Sequence, residues 1–252
     1  MDEPTLKLKN APIVEAVLNI ECDMPSNLDI GALREPAQKA FLPQYPKFKA
    51  ILMREHHLNA KPEAESHVSV KNILYGLQLI QEGERQLVQI RSQGYSFNRL
   101  APYSTLDDYL AEIERTWFLF VHLASPVQTK FIQLRYINRI LLPMPKGRLD
   151  LEHYFRICPK LPDEEKLAFI GFLNQHSAIE NETGNHVNII LTAQPAENEK
   201  LPVIFDITAT LPIAIDPKNW REIVAIIQSL RGLKNRVFRN TITETCINLF
   251  QQ

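Results

Sequence analysis

A chain of 252 residues, 45% apolar and 23% charged, lies in the range of folded globular proteins and can bury one large core or two smaller ones. Its 28 Lys and Arg against 29 Asp and Glu leave a net charge near zero, which excludes a global field drawing it onto nucleic acid or an acidic membrane; any basic site has to be local. Three widely spaced cysteines, Cys22, Cys158 and Cys246, exclude a disulfide framework and read as buried free thiols in a reducing compartment, and no apolar run reaches the roughly 20 residues of a membrane-spanning helix.

The first ten residues, MDEPTLKLKN, lack the pattern of a secretory signal, so a cytoplasmic location is expected. Pro12 to Glu21 (PIVEAVLNIE) reads as a strand, and Leu28 to Phe41 as a helix that Pro36 must end or break. Three strands follow at Ile51 to Leu58, Asn72 to Gln81 and Gln86 to Phe97, the last two joined by a tight turn at Gly83. Leu106, Tyr109, Leu110, Ile113, Trp117, Phe120 and Val121 form an apolar stripe at helical spacing. Ser104 or Thr105 is expected to cap that helix, with Asp107 and Asp108 at its positive end.

Lys130 to Leu142 alternates like a central strand, and Asp150 to Arg156 reads as a short helix. Ala168 to Ile179, His186 to Ala193 and Val203 to Ile213 are rich in strand formers. A closing helix starts at Asp216-Pro217 and carries Trp220, Ile223, Val224, Ile227 and Leu230 as its stripe, with further helix expected beyond Gly232. The order strand, helix, three strands, long helix thus occurs twice, predicting halves at 1–127 and 128–252. The fold class is α+β: a duplicated β-α-β-β-β-α unit forming a largely antiparallel sheet with two long helices on one face. That arrangement resembles a TATA-binding-protein-like saddle or a helix-grip fold, a likeness of architecture that carries no activity with it.

No P-loop, GxGxxG, GxSxG, HExxH or CxxC pattern is present, and 8 glycines leave little material for a phosphate-cradling loop. No catalytic, metal or cofactor site is expected: the seven histidines show no ligand spacing, and the pairs Asp107-Asp108 and Glu164-Glu165 read as solvated or helix-dipole charge. The informative cluster is RSQGYSFNRLAPY with LRYINRI. It supplies Arg91, Tyr95, Asn98, Arg99, Tyr103, Arg135, Asn138 and Arg139 as candidate ligand-binding residues, and Asn235-Arg236 echoes it in the terminal helix. Guanidinium groups with aromatic faces nearby are what recognition of an anion or nucleotide needs. The plain alternative is structural: Asn98 shapes a strand end, Tyr103 packs under the long helix, and Arg135 pairs with Asp206. Strand alternation places Arg91, Arg135 and Arg139 away from the apolar face, where they would form a local basic patch.

PIVEAVLNI, GYSFNRLAPY, Trp117, LRYINRILLP, DLEHYF and NRVFRNTIT, in that order, resemble a sporadically distributed prokaryotic family of uncharacterised proteins. The likeness spans nearly the whole chain and implies a full-length, stand-alone protein; it brings no activity and no assigned site residue.

Three functions remain in play. The first is a binding protein that takes an anionic small molecule, nucleic acid or protein partner through Arg91, Asn98, Arg99, Arg135 and Arg139. The second is a phosphate-handling enzyme such as a nuclease, with His56, His57 or Tyr95 as acid-base groups. The third is a homo-oligomeric or antitoxin-like assembly protein, in a defence setting, that pairs through a sheet edge or the terminal helix.

Overall fold

The computed structural model describes residues 8–59, 67–144, 150–160, 162, 166–167 and 171–251, leaving aside the side chains of 56–59 and 67–70. The strands are β1 (Ile13–Asp23), β2 (Lys47–Asn59), β3 (His67–Ile80), β4 (Gln86–Arg91), β5 (Gly94–Leu100), β6 (Gln128–Pro143), β7 (Leu173–Ile179), β8 (His186–Ala193) and β9 (Lys200–Pro212). The helices are α1 (Arg34–Phe41), α2 (Asp107–Ala124), α3 (Trp220–Thr241) and α4 (Glu244–Asn248). The strands form one antiparallel sheet in the order β2-β3-β4-β5-β1-β6-β9-β8-β7. In its middle β1 pairs with β6, and Leu18 lies opposite Leu134.

Period-two alternation decides which face each side chain takes. In β1, Ala16, Leu18, Ile20 and Cys22 are buried, and Ile132, Leu134 and Tyr136 of β6 lie on the same side. The long helices cover that side only. From α2, the fully buried Trp117 meets Tyr95 edge-on at 5.4 Å, and its Nε1 donates to the Pro217 carbonyl at 2.9 Å, tying α2 to the loop before α3. Phe238 of α3 stacks on Phe205 of β9 at 5.6 Å. After α1 the chain reaches Tyr45, whose hydroxyl donates to Glu112 of α2 and accepts from Gln86 of β4, each at 2.8 Å. This satisfies the polar groups that burial would otherwise leave without water.

Several sequence expectations are corrected. Gln86 to Phe97 is two strands, not one, because the chain reverses at Ser92-Gln93; the first half therefore has four strands after α1, and the expected β-α-β-β-β-α unit is not repeated as such. Gly94 is what permits the second of them: its φ is +145°, and a Cβ there would lie 2.2 Å from the Ile20 carbonyl oxygen of β1. The helix expected from Leu28 starts at Arg34, with Pro36 in its first turn, where a missing N–H leaves no helical bond unmade. No side chain of Ser104 or Thr105 caps α2; the Asp108 carboxylate instead accepts the Thr105 N–H at 3.2 Å, and hydrogen bonding from the Ser104 side chain first, then from Thr105, lowers its pKa. The short helix at 150–156 is a single 3-10 turn, Leu151–His153. The closing helix begins at Trp220 with Asn219 as its cap and passes through Gly232 unbroken. The first part of the strand expected at 168–179 lies outside the described residues.

Candidate functional site

The sheet separates the eight candidate residues onto two faces. Tyr95, Arg99, Tyr103 and Asn138 belong to the helix-covered side; Arg91, Asn98, Arg135 and Arg139 belong to strand positions on the bare side. Sequence proximity concealed this, because neighbours along a strand point in opposite directions.

On the bare face the polar groups largely answer one another. Arg135 of β6 donates from Nε to both carboxylate oxygens of Asp206 on β9, at 3.0 and 2.9 Å, and this pairing raises its pKa. Arg139 donates to Gln194 at 3.0 Å and to Glu197 at 2.7 Å. Asn98 donates to Glu15 at 2.8 Å and accepts from Ser96 at 3.1 Å. Arg91 donates to the Asn19 side chain and to the Tyr95 carbonyl, while its buried Nε has no partner among the described residues; burial pulls its pKa down. These arginines therefore do not make the expected free basic patch: two of the three are matched by carboxylates. Arg236 of the terminal helix is likewise paired, with Glu180.

On the helix-covered face, Tyr95 is fully buried and its hydroxyl shares a 2.7 Å hydrogen bond with Thr116; burial drives its pKa far above the ordinary value. Asn138 donates to the Phe205 carbonyl at 2.9 Å. Both are framework residues. Arg99 and Tyr103 are different. The Arg99 guanidinium lies 5.2 Å over the Tyr109 ring and its Nε donates to the Tyr109 hydroxyl at 3.2 Å, while its terminal nitrogens have no partner among the described residues. Tyr109 sits 5.5 Å from Tyr103, which sits 5.5 Å from Tyr136, and the Tyr103 and Tyr136 hydroxyls are hydrogen-bonded at 2.8 Å.

At the far end of this tyrosine row, the Lys234 ammonium of α3 rests 3.9 Å over the Tyr136 ring, with no hydrogen-bond or ion-pair partner among the described residues. Burial, and then the neighbouring Arg231 guanidinium, pull its pKa down to about 7. Arg231 is itself committed to Asp107 at the start of α2, at 2.8 Å. Burial raises the acid of Tyr136 to about 12 and that of Tyr103 further, so both hydroxyls stay protonated; one donates to the other, and the second keeps its O–H free to donate. Arg99, Tyr103, Tyr109 and Tyr136 line a cavity of about 10 Å³, floored by Leu18, Phe97 and Leu134, with room for about one water-sized group. Lys234 and Arg231 escaped sequence reasoning because nothing local marks them; α3 brings them to Tyr136 only through helix-on-sheet packing.

The remaining chemistry is sparse. The side chains of His56 and His57 lie outside the described residues, and His122, His153, His176 and His186 are exposed. Among the described residues no three His, Cys, Asp or Glu side chains converge as a metal site, and no helix is long and apolar enough to cross a membrane. The Cys22 and Cys246 thiols are buried and raised to about 12, which leaves little thiolate for nucleophilic chemistry; Cys158 is half-buried and raised to about 11. No family model, curated protein or solved structure matches the chain.

Proposed function

We propose that the chain, as a member of the sporadically distributed family its motifs resemble, is a binding protein that takes a small anionic group at the tyrosine row between Arg99 and Lys234. One observation carries this reading: Arg99, which lines a cavity the size of one water molecule, and Lys234, over the Tyr136 ring, stand at the two ends of a row of tyrosines with no carboxylate partner among the described residues. Desolvating an ammonium without a counter-charge is unfavourable, and a bound carboxylate, phosphate or sulfate oxygen would relieve it while accepting hydrogen bonds from guanidinium and phenol. The small cavity limits what enters to the tip of a ligand whose body stays outside.

Sulfate is the probe of choice because its charge is constant across the relevant pH range. In thermal melts it should stabilise the wild-type protein more at pH 6 than at pH 9, since the Lys234 amine is protonated below about 7 and neutral above it. Arg99→Gln and Lys234→Met should each abolish the pH-dependent part, and Arg135→Gln should leave it intact. Equal sulfate stabilisation in all four proteins at both pH values would overturn the site.

The bare sheet face favours a second reading, a protein-partner surface, because no helix among the described residues covers it. We also read the sheet as two related halves. In support, the order β3-β4-β5-β1 on one side of the central ladder mirrors β7-β8-β9-β6 on the other, with β2 as an addition to the first.

A further inference from the structure

The two ends of the sheet differ in a way that the anion site does not use. At one end β2 carries Lys47, Lys49, Arg54 and Glu55, charges of the kind that discourage a strand edge from accepting another chain. At the other, β7 reads Leu-Asn-Gln-His-Ser-Ala-Ile, with no Asp, Glu, Lys, Arg or Pro, and leaves Leu173 69% and Ile179 60% exposed. Among the described residues, none of the usual guards against edge pairing is present on it.

The direction of its backbone groups follows from the ladder with β8. Glu180 N–H bonds to the Asn185 carbonyl at 2.8 Å, and the Phe172 carbonyl accepts from Ala193 N–H at 3.2 Å. Even-numbered residues thus point their main-chain groups at β8, and odd-numbered ones point theirs outward. The outward set is Leu173, Gln175, Ser177 and Ile179. By the register with β8, these same side chains lie on the bare face, opposite Thr192, Ile190, Asn188 and His186.

We infer that β7 is a self-association edge, and that its partner is β7 of a second copy of this chain, paired antiparallel about a two-fold axis at His176. The strand is self-complementary in that register. Leu173 falls opposite Ile179 of the other copy, Gln175 opposite Ser177, and Asn174 opposite Ala178. All the outward main-chain groups then meet outward groups, giving four residue pairs with two hydrogen bonds each. Both exposed apolar side chains are covered by each other, and the axis stands perpendicular to the sheet, so the helices of both copies stay on one side of a continuous sheet. Registers that join odd to even residues are ruled out by the backbone directions, and the one centred on His176 uses the whole strand.

Solution mass from sedimentation and light scattering tests this. The wild-type chain, 29.0 kDa, should show a concentration-dependent doubling of mass. Ser177→Pro removes an outward N–H and leaves the β8 ladder untouched, and Leu173→Lys puts charge on the edge; each should give a monomer with the wild-type melting curve. Leu52→Lys on β2 should still dimerise. The His176 side chains of the two copies face each other at a position without ladder hydrogen bonds, where the strands come closest. His176→Cys should therefore form a covalent dimer under mild oxidation, whereas wild type under the same oxidant should not. This arm stands even if Ser177→Pro fails to fold. A wild type that stays monomeric at high concentration, dimers that persist in folded Ser177→Pro and Leu173→Lys, or a His176→Cys that gives no cross-link would each overturn the proposal. The sulfate test is independent of every one of them.

Discussion

On the helix-covered face of the sheet, Tyr95 and Tyr136 are buried, Tyr103 is partly buried, and their hydroxyls are hydrogen-bonded there, while Arg99 and Lys234 rest on tyrosine rings without counter-charges among the described residues. On the bare face, Arg135 and Arg139 find carboxylates on neighbouring segments and Asn98 finds Glu15. Water explains the difference. An exposed strand face lets long side chains reach across the ladder at little cost, and the pairs they form are worth little. Under the helices, every unmatched charge keeps its desolvation cost, and such positions are where a ligand has something to relieve.

Substitutions on the two faces should separate accordingly. The largest loss is expected at the junction of β5 with β1: Gly94→Ala forces a Cβ into the Ile20 carbonyl at a positive φ, and urea unfolding should show a loss of about 3 kcal/mol or more, or failure to fold. Trp117→Ala empties a fully buried site and strands the Pro217 carbonyl, for about 3–5 kcal/mol by the same measurement. A loss below ~1 kcal/mol at Trp117 would mean that α2 is not seated on the sheet as described, and one that small at Gly94 that β5 does not close on β1.

Lys234→Met probes the same face with the opposite sign. The native amine releases its proton near pH 7 and the unfolded one near its ordinary, higher value, so wild-type stability should rise with pH between them, and the cost of burying the charge is complete below pH 7. The substitution should therefore raise the melting temperature at pH 6 by about 2–4 °C, the shift that ~1 kcal/mol produces in a chain of this size, and change little at pH 10. An equal shift at both pH values would place the effect in packing rather than in the charge.

The bare face should yield the smallest numbers. Asp206→Asn weakens the pair with a largely exposed Arg135 and should cost about 1 kcal/mol, because the buried carboxamide keeps a hydrogen-bonding role. Arg139→Ala, whose partner Glu197 is open to water, should stay within about 0.5 kcal/mol by chemical denaturation. A loss at Arg139 as large as that at Trp117 would mean that the bare face is covered by something in solution, and would move attention to it as a partner surface.

Much of this molecule was legible in its sequence because local pattern is enough to set it. The stripe of Ile113, Trp117 and Phe120 can only be a helix facing a core, and the alternation of Ile132, Leu134 and Tyr136 can only be a strand with one apolar face. The α+β class, the large antiparallel sheet and the Arg135–Asp206 pair followed from such reading. Other features depend on where distant segments meet. The reversal at Ser92-Gln93 was missed because apolar residues on both sides of it continue one strand-like run, and only the closeness of Gly94 to Ile20 shows why a glycine stands there. Arg91 and Arg99 read as one cluster until pleating put them on opposite faces. The tyrosine row needs residues from β6, α2, α3 and the loop between β5 and α2, and Lys234 acquires its lowered pKa only once α3 lies on the sheet. Periodicity within ten or twenty residues fixes which way a side chain faces; burial, and therefore charge behaviour, is a property of what the rest of the chain brings to face it.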